Sequence, residues 1–416
     1  MLFGGLPLAL ISGAAQAGAS DRVLVLLQLA GGNDGLNMVV PLDQYDNLAQ
    51  VRGNILPPEN SLLDLGNTLG LHPAMPALAD VWLDGKLQIL QSVGYPDQNR
   101  SHFRSQDIWS TASAADEFLT TGWLGRYFEL DHAAYPFGYP NDDFPHPLAL
   151  VAGTSVAETC QGSMANFSLS VTDPFNPGTV NAGVLAPAPE GCYGDELAFV
   201  HNVVAQTNGY ADAISTAAAL GQNRSAKYHA NGFNYIAAAL GTVARLISGG
   251  LKTRIFVVNA GGFDTHANQV AGADTTQGVH ADLLQLLSDA ICAFQDDLVL
   301  LGIQKKVIGM TFSEFGRRIR SNASIGTDHG TAAPLFLFGQ PLNGGVFGQN
   351  PQIDPQVGEG DGVPMQIDFR DVFGTLLCDW LGVADSDVQS VLHPDLEKMP
   401  LVTTPASSFI FASGFE

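Results

Sequence analysis

The sequence predicts a doubly wound α/β fold, a mostly parallel sheet with helices on both faces and one irregular insertion. Three observations predict it. Short apolar runs rich in Val, Leu and Ile recur at Val23–Ala30, Leu87–Val93, Arg254–Asn259, Lys306–Phe312 and Pro334–Phe338. Runs of that length suit strands buried on both faces. Helical patterns separate them, as a parallel sheet requires. Polar residues with metal-ligand chemistry collect beside four of the runs, where open α/β sheets bind ligands.

The first run stops at Gly31-Gly32, and Asn33, Asp34 and Gly35 follow at once. Glycine there lets the backbone turn sharply and approach a ligand closely, so Asp34 stands where a metal-binding or catalytic carboxylate is expected. Leu42–Val51 reads as a short helix and Leu71–Trp82 as the start of a second. After Leu87–Val93, the stretch Asn99–Trp109 is polar at its front and periodic afterwards, the pattern of a helix that starts just past a strand. Gly122–Phe128 continues as helix. Prolines then cluster from about 132 to 195, with β-like pieces at Leu148–Val151 and Phe167–Val171, and this stretch reads as an insertion or cap on the core. Residues 195 to about 247 are Ala-rich and helical in pattern. Ala281–Leu301 places Leu284, Leu287, Ile291, Phe294 and Leu298 on one amphipathic face. Phe369–Leu381 closes the series as a helix, with a short one after it. The main domain therefore spans about 21–395, and residues 396–416 read as a peripheral tail.

Of the 416 residues 46% are hydrophobic and 14% charged, so a large core is available and global disorder is excluded. With 18 basic against 41 acidic residues the net charge is −23. That balance argues against nucleic acid and anionic membrane surfaces as partners, and an anionic substrate would need a local positive centre. Residues 1–20 carry an apolar stretch ending in Ala15-Gln16-Ala17, the pattern of an export signal. No Lys or Arg precedes Arg22, so the signal reads as truncated. No run is long enough for an integral membrane segment. Cys160 and Cys192 lie in the Pro/Gly-rich stretch and could pair, whereas Cys292 and Cys378 read as buried thiols.

The polar clusters are Asn33-Asp34, Asp264-Thr-His266, Ser313-Glu314-Phe-Gly-Arg317-Arg318 and Asp328-His329. Asp, Glu and His donors without thiolate suit a divalent ion, zinc, manganese or calcium, as one or two ions. Two such ions can clamp both oxygens of a phosphoryl or sulfuryl transfer. Asp34, Asp264, His266, Glu314 and His329 are the candidate ligands. Ser101, at the front of a helix, is the candidate nucleophile or else an ordinary N-cap, with His102 the second catalytic candidate. Asn33, Arg104, Arg317 and Asp328 are candidates for holding the substrate, although arginines among so many carboxylates also form ordinary ion pairs.

Gly31–Asn37, Ser101–Trp109, Gly122–Gly125, Gly262–His266, Ser313–Arg317, Asp328–Gly330 and Phe369–Gly382 together resemble an exported bacterial family, domain of unknown function 1501. That family is grouped with the alkaline phosphatase and sulfatase superfamily and is often carried by the twin-arginine route. The resemblance implies an alkaline phosphatase-like sandwich with a metal centre at the carboxyl ends of the strands. It implies that Asp34 is the first-strand ligand and that Ser101 occupies the nucleophile's place. Asp264 and His266 resemble the Asp/His pair of one metal. Glu314 stands for an Asp ligand, and His329 resembles the last histidine. Phe315 departs from the pattern, standing where the superfamily has a neighbouring histidine. The expectation is an exported metal-dependent hydrolase of phosphate or sulfate esters, periplasmic or extracellular, acting on a small-molecule or polymer ester. The alternative is a binding or envelope-assembly protein that keeps the fold without catalysis.

Overall fold

The computed structural model describes residues 21–180 and 186–403. The export-signal reading of 1–20 and most of the tail lie outside them. Among the described residues twelve strands are formed: β1 (Val23–Ala30), β2 (Val39–Pro41), β3 (Leu63–Gly66), β4 (Leu69–Leu71), β5 (Leu87–Gly94), β6 (Ala149–Ala152), β7 (Ser168–Val171), β8 (Ile255–Gly261), β9 (Val307–Phe312), β10 (Ala333–Phe338), β11 (Gly345–Phe347) and β12 (Ile367–Asp368). Nine make the main sheet in the order β11-β5-β10-β9-β1-β8-β6-β7, with β12 beside β5, and β2, β4 and β3 form a small antiparallel sheet.

β1 pairs in parallel with both β8 and β9, whereas β10 runs antiparallel between β9 and β5. The carboxyl ends of β5, β1, β8 and β9 therefore share one edge with the amino end of β10. Every polar cluster read from the sequence flanks that edge. Both faces are covered. Val23, Val25, Leu27 and Leu29 of β1 join a core with Leu78, Ile214, Leu240 and Leu284, from the helices Pro76–Leu83, Cys192–Leu220, Tyr235–Ser248 and Val279–Leu301. Leu24 and Leu26 point the other way, to Ile108, Trp109, Leu124 and Phe373 of the helices His102–Thr111, Trp123–Asp131 and Phe369–Thr375. The near-continuous apolar run of β1 follows from this double burial. No helix among the described residues is long and apolar enough to cross a membrane.

Three expectations are corrected. The stretch 132–195 is not wholly a cap, because β6 and β7 lie within it and β6 pairs with β8 in the main sheet. Leu401 and Val402 are buried in the core, with Val402 bridged to Leu342, so the segment read as a peripheral tail begins inside the domain. Cys160 and Cys192 are both free: the first is enclosed in the core, the second exposed at the start of its helix.

Gly31 and Gly32 adopt φ of 121° and 74°. A Cβ on Gly31 would lie 2.4 Å from the backbone nitrogen of Asp264, and one on Gly32 would lie 2.3 Å from the Phe315 ring. The pair thus lets the turns after β8 and β9 close over the end of β1. Gly32→Ala should cost more than about 1 kcal/mol, since both the positive φ and the Phe315 contact oppose a methyl group. Urea denaturation checks it, and an unchanged midpoint contradicts it.

Candidate functional site

Asp34 is fully buried beneath the edge. Arg52 Nη1 donates to Asp34 Oδ1 at 2.9 Å and to Asn37 Oδ1 at 3.1 Å, and Gln269 Nε2 donates to Asp34 Oδ2 at 2.7 Å. Arg52 also donates to the carbonyls of Ile319 and Arg318, both at 2.9 Å. Burial alone would raise the Asp34 pKa, but the charge of Arg52 and the bonds from Arg52 and Gln269 hold it below the ordinary carboxylate range. Both oxygens are thus used inside the protein, and Asp34 does not join the residues that converge at the surface. Asn33 is buried as well, its Oδ1 2.9 Å from His280 Nε2.

The convergence lies above that layer. Among the described residues, ligand atoms of His102, Asp264 and His329 come within 4.8 Å of one another. His266 adjoins two members of the group: its Nε2 is 3.1 Å from Asp264 Oδ1 and 2.8 Å from His329 Nε2. His329 Nε2 is 3.3 Å from Asp264 Oδ1, and His102 Nε2 is 3.5 Å from Asp264 Oδ2. The outer nitrogen of each ring meets an oxygen. His102 Nδ1 is 2.8 Å from Glu314 Oε1, His266 Nδ1 is 2.9 Å from Asp328 Oδ1, and His329 Nδ1 is 2.8 Å from the Arg100 carbonyl. A carbonyl can only accept, so His329 donates from Nδ1. The Asp328 carboxyl is raised by burial but brought below its usual range by His266, Asn322 and Arg318, so His266 Nδ1 donates to a carboxylate. Two neutral rings so fixed turn bare Nε2 lone pairs toward each other at 2.8 Å. Such a contact is repulsive unless a proton or a metal cation lies between them.

Arg317 holds this arrangement from below. It is buried and donates to the carbonyls of Gly31, Gly32 (2.5 Å), Phe263 (3.1 Å) and Thr327 (2.9 Å), and to Asp264 Oδ1 at 2.6 Å. Burial raises the Asp264 pKa, but Arg317, His266 and His329 bring it below the usual carboxylate range. Glu314, fully buried, accepts from the Gly31 amide at 2.9 Å and from Gln106 Nε2 at 3.2 Å besides facing His102. Phe315 is buried against His329 and His102, with ring centroids 4.5 and 4.9 Å away.

The remaining candidates divide. Ser101 is exposed at the N-cap of His102–Thr111, and its side chain makes no capping bond. Arg104 is committed locally, to Asp107, to the carbonyls of Ala114, Ala115 and Glu117, and against the Phe118 ring. Sequence reading passed over Arg52, Gln269, His280 and the Arg100 carbonyl, because no motif marks a partner supplied from a distant part of the chain. It also gave His102 a catalytic role, whereas the ring is placed like those of His266 and His329. The front position of His102 on a helix that starts after β5 was the available signal.

A family model described as "Protein of unknown function (DUF1501)" matches residues 60–378. The chain belongs to that family. The match takes in His102, Asp264, His266, Glu314 and His329 and leaves Asn33 and Asp34 outside. No functionally curated protein matches this DUF1501 chain. Among solved structures it is similar to the lipoteichoic acid synthase LtaP from Listeria monocytogenes (9% identity, 92% of this chain and 79% of that one, TM-score 0.39). It is also similar to a protein of the alkaline phosphatase superfamily from Vibrio parahaemolyticus (11%, 88% and 68%, TM-score 0.38). A third is the PsFucS1 sulfatase from Pseudoalteromonas sp. (11%, 88% and 68%, TM-score 0.36). The α/β assignment of the DUF1501 chain rests on its own sheet rather than on these scores.

Two outcomes follow for the layer under the edge. Asp34→Asn leaves Arg52 as an uncompensated buried charge and should cost about 3–5 kcal/mol in urea denaturation. Metal content should not change, and a loss of metal at unaltered stability would make Asp34 a ligand instead. Burial pushes His280 down to about 4 and His72 to about 3. Both stay neutral in the fold while the unfolded chain takes up protons near the ordinary histidine value. Stability is therefore complete above about pH 6.5 and falls as the pH drops toward 4, by up to about 1.4 kcal/mol per unit per histidine. Melts between pH 7.5 and 4.5 check this, and His280→Gln should flatten the slope.

Proposed function

We propose that this protein is a metal-dependent hydrolase of phosphate or sulfate esters that works outside the cytoplasm. A single divalent ion would be held by His102, Asp264, His266 and His329. One observation carries the reading: three imidazoles present Nε2 to one carboxylate while an oxygen fixes each Nδ1. Metal-binding histidines are typically oriented this way, through the second nitrogen. His102 Nε2 is also buried without a hydrogen-bond partner. Three nitrogens and one carboxylate suit zinc or manganese rather than calcium, which prefers oxygen.

When bound, such an ion supplies a Lewis acid for the ester and lowers the pKa of a water. The chain's own residues supply the rest. Asp264 stays ionised under Arg317, and Glu314, Asp328 and the Arg100 carbonyl keep the rings turned inward. The Asp264 side chain is 46% exposed, so an ester could reach it. Ser101, one residue before His102 and free of capping duty, is the proposed nucleophile. An envelope location is supported by the export-like pattern of residues 1–20, and fractionation of expressing cells tests it. A second reading, a non-catalytic binding protein, is favoured by Phe315, which packs against His329 and His102 where the family resemblance implies a further histidine.

Purified protein should hold a single equivalent of zinc or manganese and turn over an aryl phosphate or aryl sulfate. Chelation, Asp264→Ala and Ser101→Ala should each abolish turnover, the last with metal retained. Asp328→Asn should weaken metal binding about 10–100-fold, by releasing His266. Bound metal without turnover of either ester leaves only the second reading. Absence of both removes the hydrolase.

A further inference from the structure

A protein of net charge −23 that takes an anionic ester needs cationic donors at its site, and few are present. The arginines around the edge can be sorted by what their donors already do. Arg52 is spent on Asp34, Asn37 and two carbonyls, Arg317 on four carbonyls and Asp264, and Arg104 on Asp107 and three carbonyls. Two others are not spent. Arg100 makes one side-chain bond, from Nη1 to the Gly360 carbonyl at 2.6 Å. Arg318 makes two long ones from Nη1, to Asp328 Oδ2 at 3.4 Å and to the Glu359 carbonyl at 3.3 Å, and its Nε is buried without a partner.

Both sit one link from the histidine cluster. The Arg100 carbonyl accepts from His329 Nδ1, and Arg318 reaches Asp328, which accepts from His266 Nδ1. The two guanidiniums reach adjacent carbonyls of one loop, Arg100 that of Gly360 and Arg318 that of Glu359. Like charges held together with donors left over are costly in an empty protein and favourable around a doubly charged guest. Arg100 also lines a cleft of about 560 Å³ with Gln98, Thr331, Asp361 and Met365, large enough for the rest of a small substrate.

We propose that Arg100 and Arg318 form the subsite that grips the tetrahedral oxyanion of the ester, through its oxygens that do not react. The proposal rests on the histidine cluster being the reaction centre. Arginine suits the task because its planar fork offers paired N–H donors to phosphate or sulfate oxygens. The geometry separates roles cleanly at Arg100: only its main chain serves His329, so shortening its side chain leaves that contact in place.

The test is calorimetric titration of inorganic phosphate and, separately, inorganic sulfate, into metal-loaded and chelated protein. Wild type should bind in both forms, more tightly when loaded. Arg100→Gln and Arg318→Lys should each weaken binding at least about tenfold, with metal content and melting temperature unchanged. The preferred anion identifies which ester the subsite serves. Anion binding at wild-type strength in both variants, or no binding to either form of wild type, overturns the subsite while the metal reading stands. Arginine-dependent binding in a protein that takes up no metal keeps the subsite and removes the hydrolase. Should Arg318→Lys disturb metal uptake through Asp328, Arg100→Gln alone decides.

Discussion

The edge of this sheet is held together by one buried guanidinium. Arg317 reaches the loops after β1 and β8 and the turn before β10, through the carbonyls of Gly31, Gly32, Phe263 and Thr327. Loop ends of parallel strands carry backbone groups that no ladder satisfies, and burying them without partners is costly. A planar, always-charged fork offers five donors in fixed directions, against three on an ammonium. The Nη2 that serves Gly31 and Phe263 also donates to Asp264, so the group that ties the loops also keeps the surface carboxylate ionised. The cluster above it is thus mounted on a fixed base.

The two layers of charge at the edge do different work. Below, Asp34, Arg52, Gln269 and Asn37 form a closed set, and Gln269 Oε1 accepts from Thr265 and Thr327, the neighbours of His266 and Asp328. Above, three imidazoles and Asp264 remain open to solvent on one side. Phe315 gives the upper layer an apolar wall against His329 and His102.

Much of the fold was legible because its strands are buried on both faces and read as uninterrupted apolar runs. The convergence of Asp264, His266, His329 and Glu314 was legible for a related reason, since polar residues that break such runs at their ends have one shared place to go. What could not be read was the depth of each residue. Asp34 and Asp264 look alike in sequence, each two residues past a glycine pair at the end of a strand. Only the position of Arg52, delivered from a helix with no motif of its own, draws the first inward. His102 was legible as a site residue but not as a partner of the other histidines, because its contact with Glu314 joins segments far apart in the chain. The small strands β6 and β7 were legible as β-like pieces, but the prolines around them hid that they extend the main sheet, so a sheet edge was read as a cap.

The direction of β10, antiparallel to its neighbours in the main sheet, has a consequence for assembly. Because β10 enters the sheet from the site edge, His329 arrives between β9 and β5 from late in the chain, while His102 follows β5 and precedes the whole second half. The four groups therefore come together only when the sheet has closed on itself, and no contiguous segment carries more than two of them. Contacts so distant in sequence form late, after the entropy of closing long loops has been met. A cation at this centre would act as a clasp on a finished fold, strengthening it against unfolding without being able to guide the chain toward it.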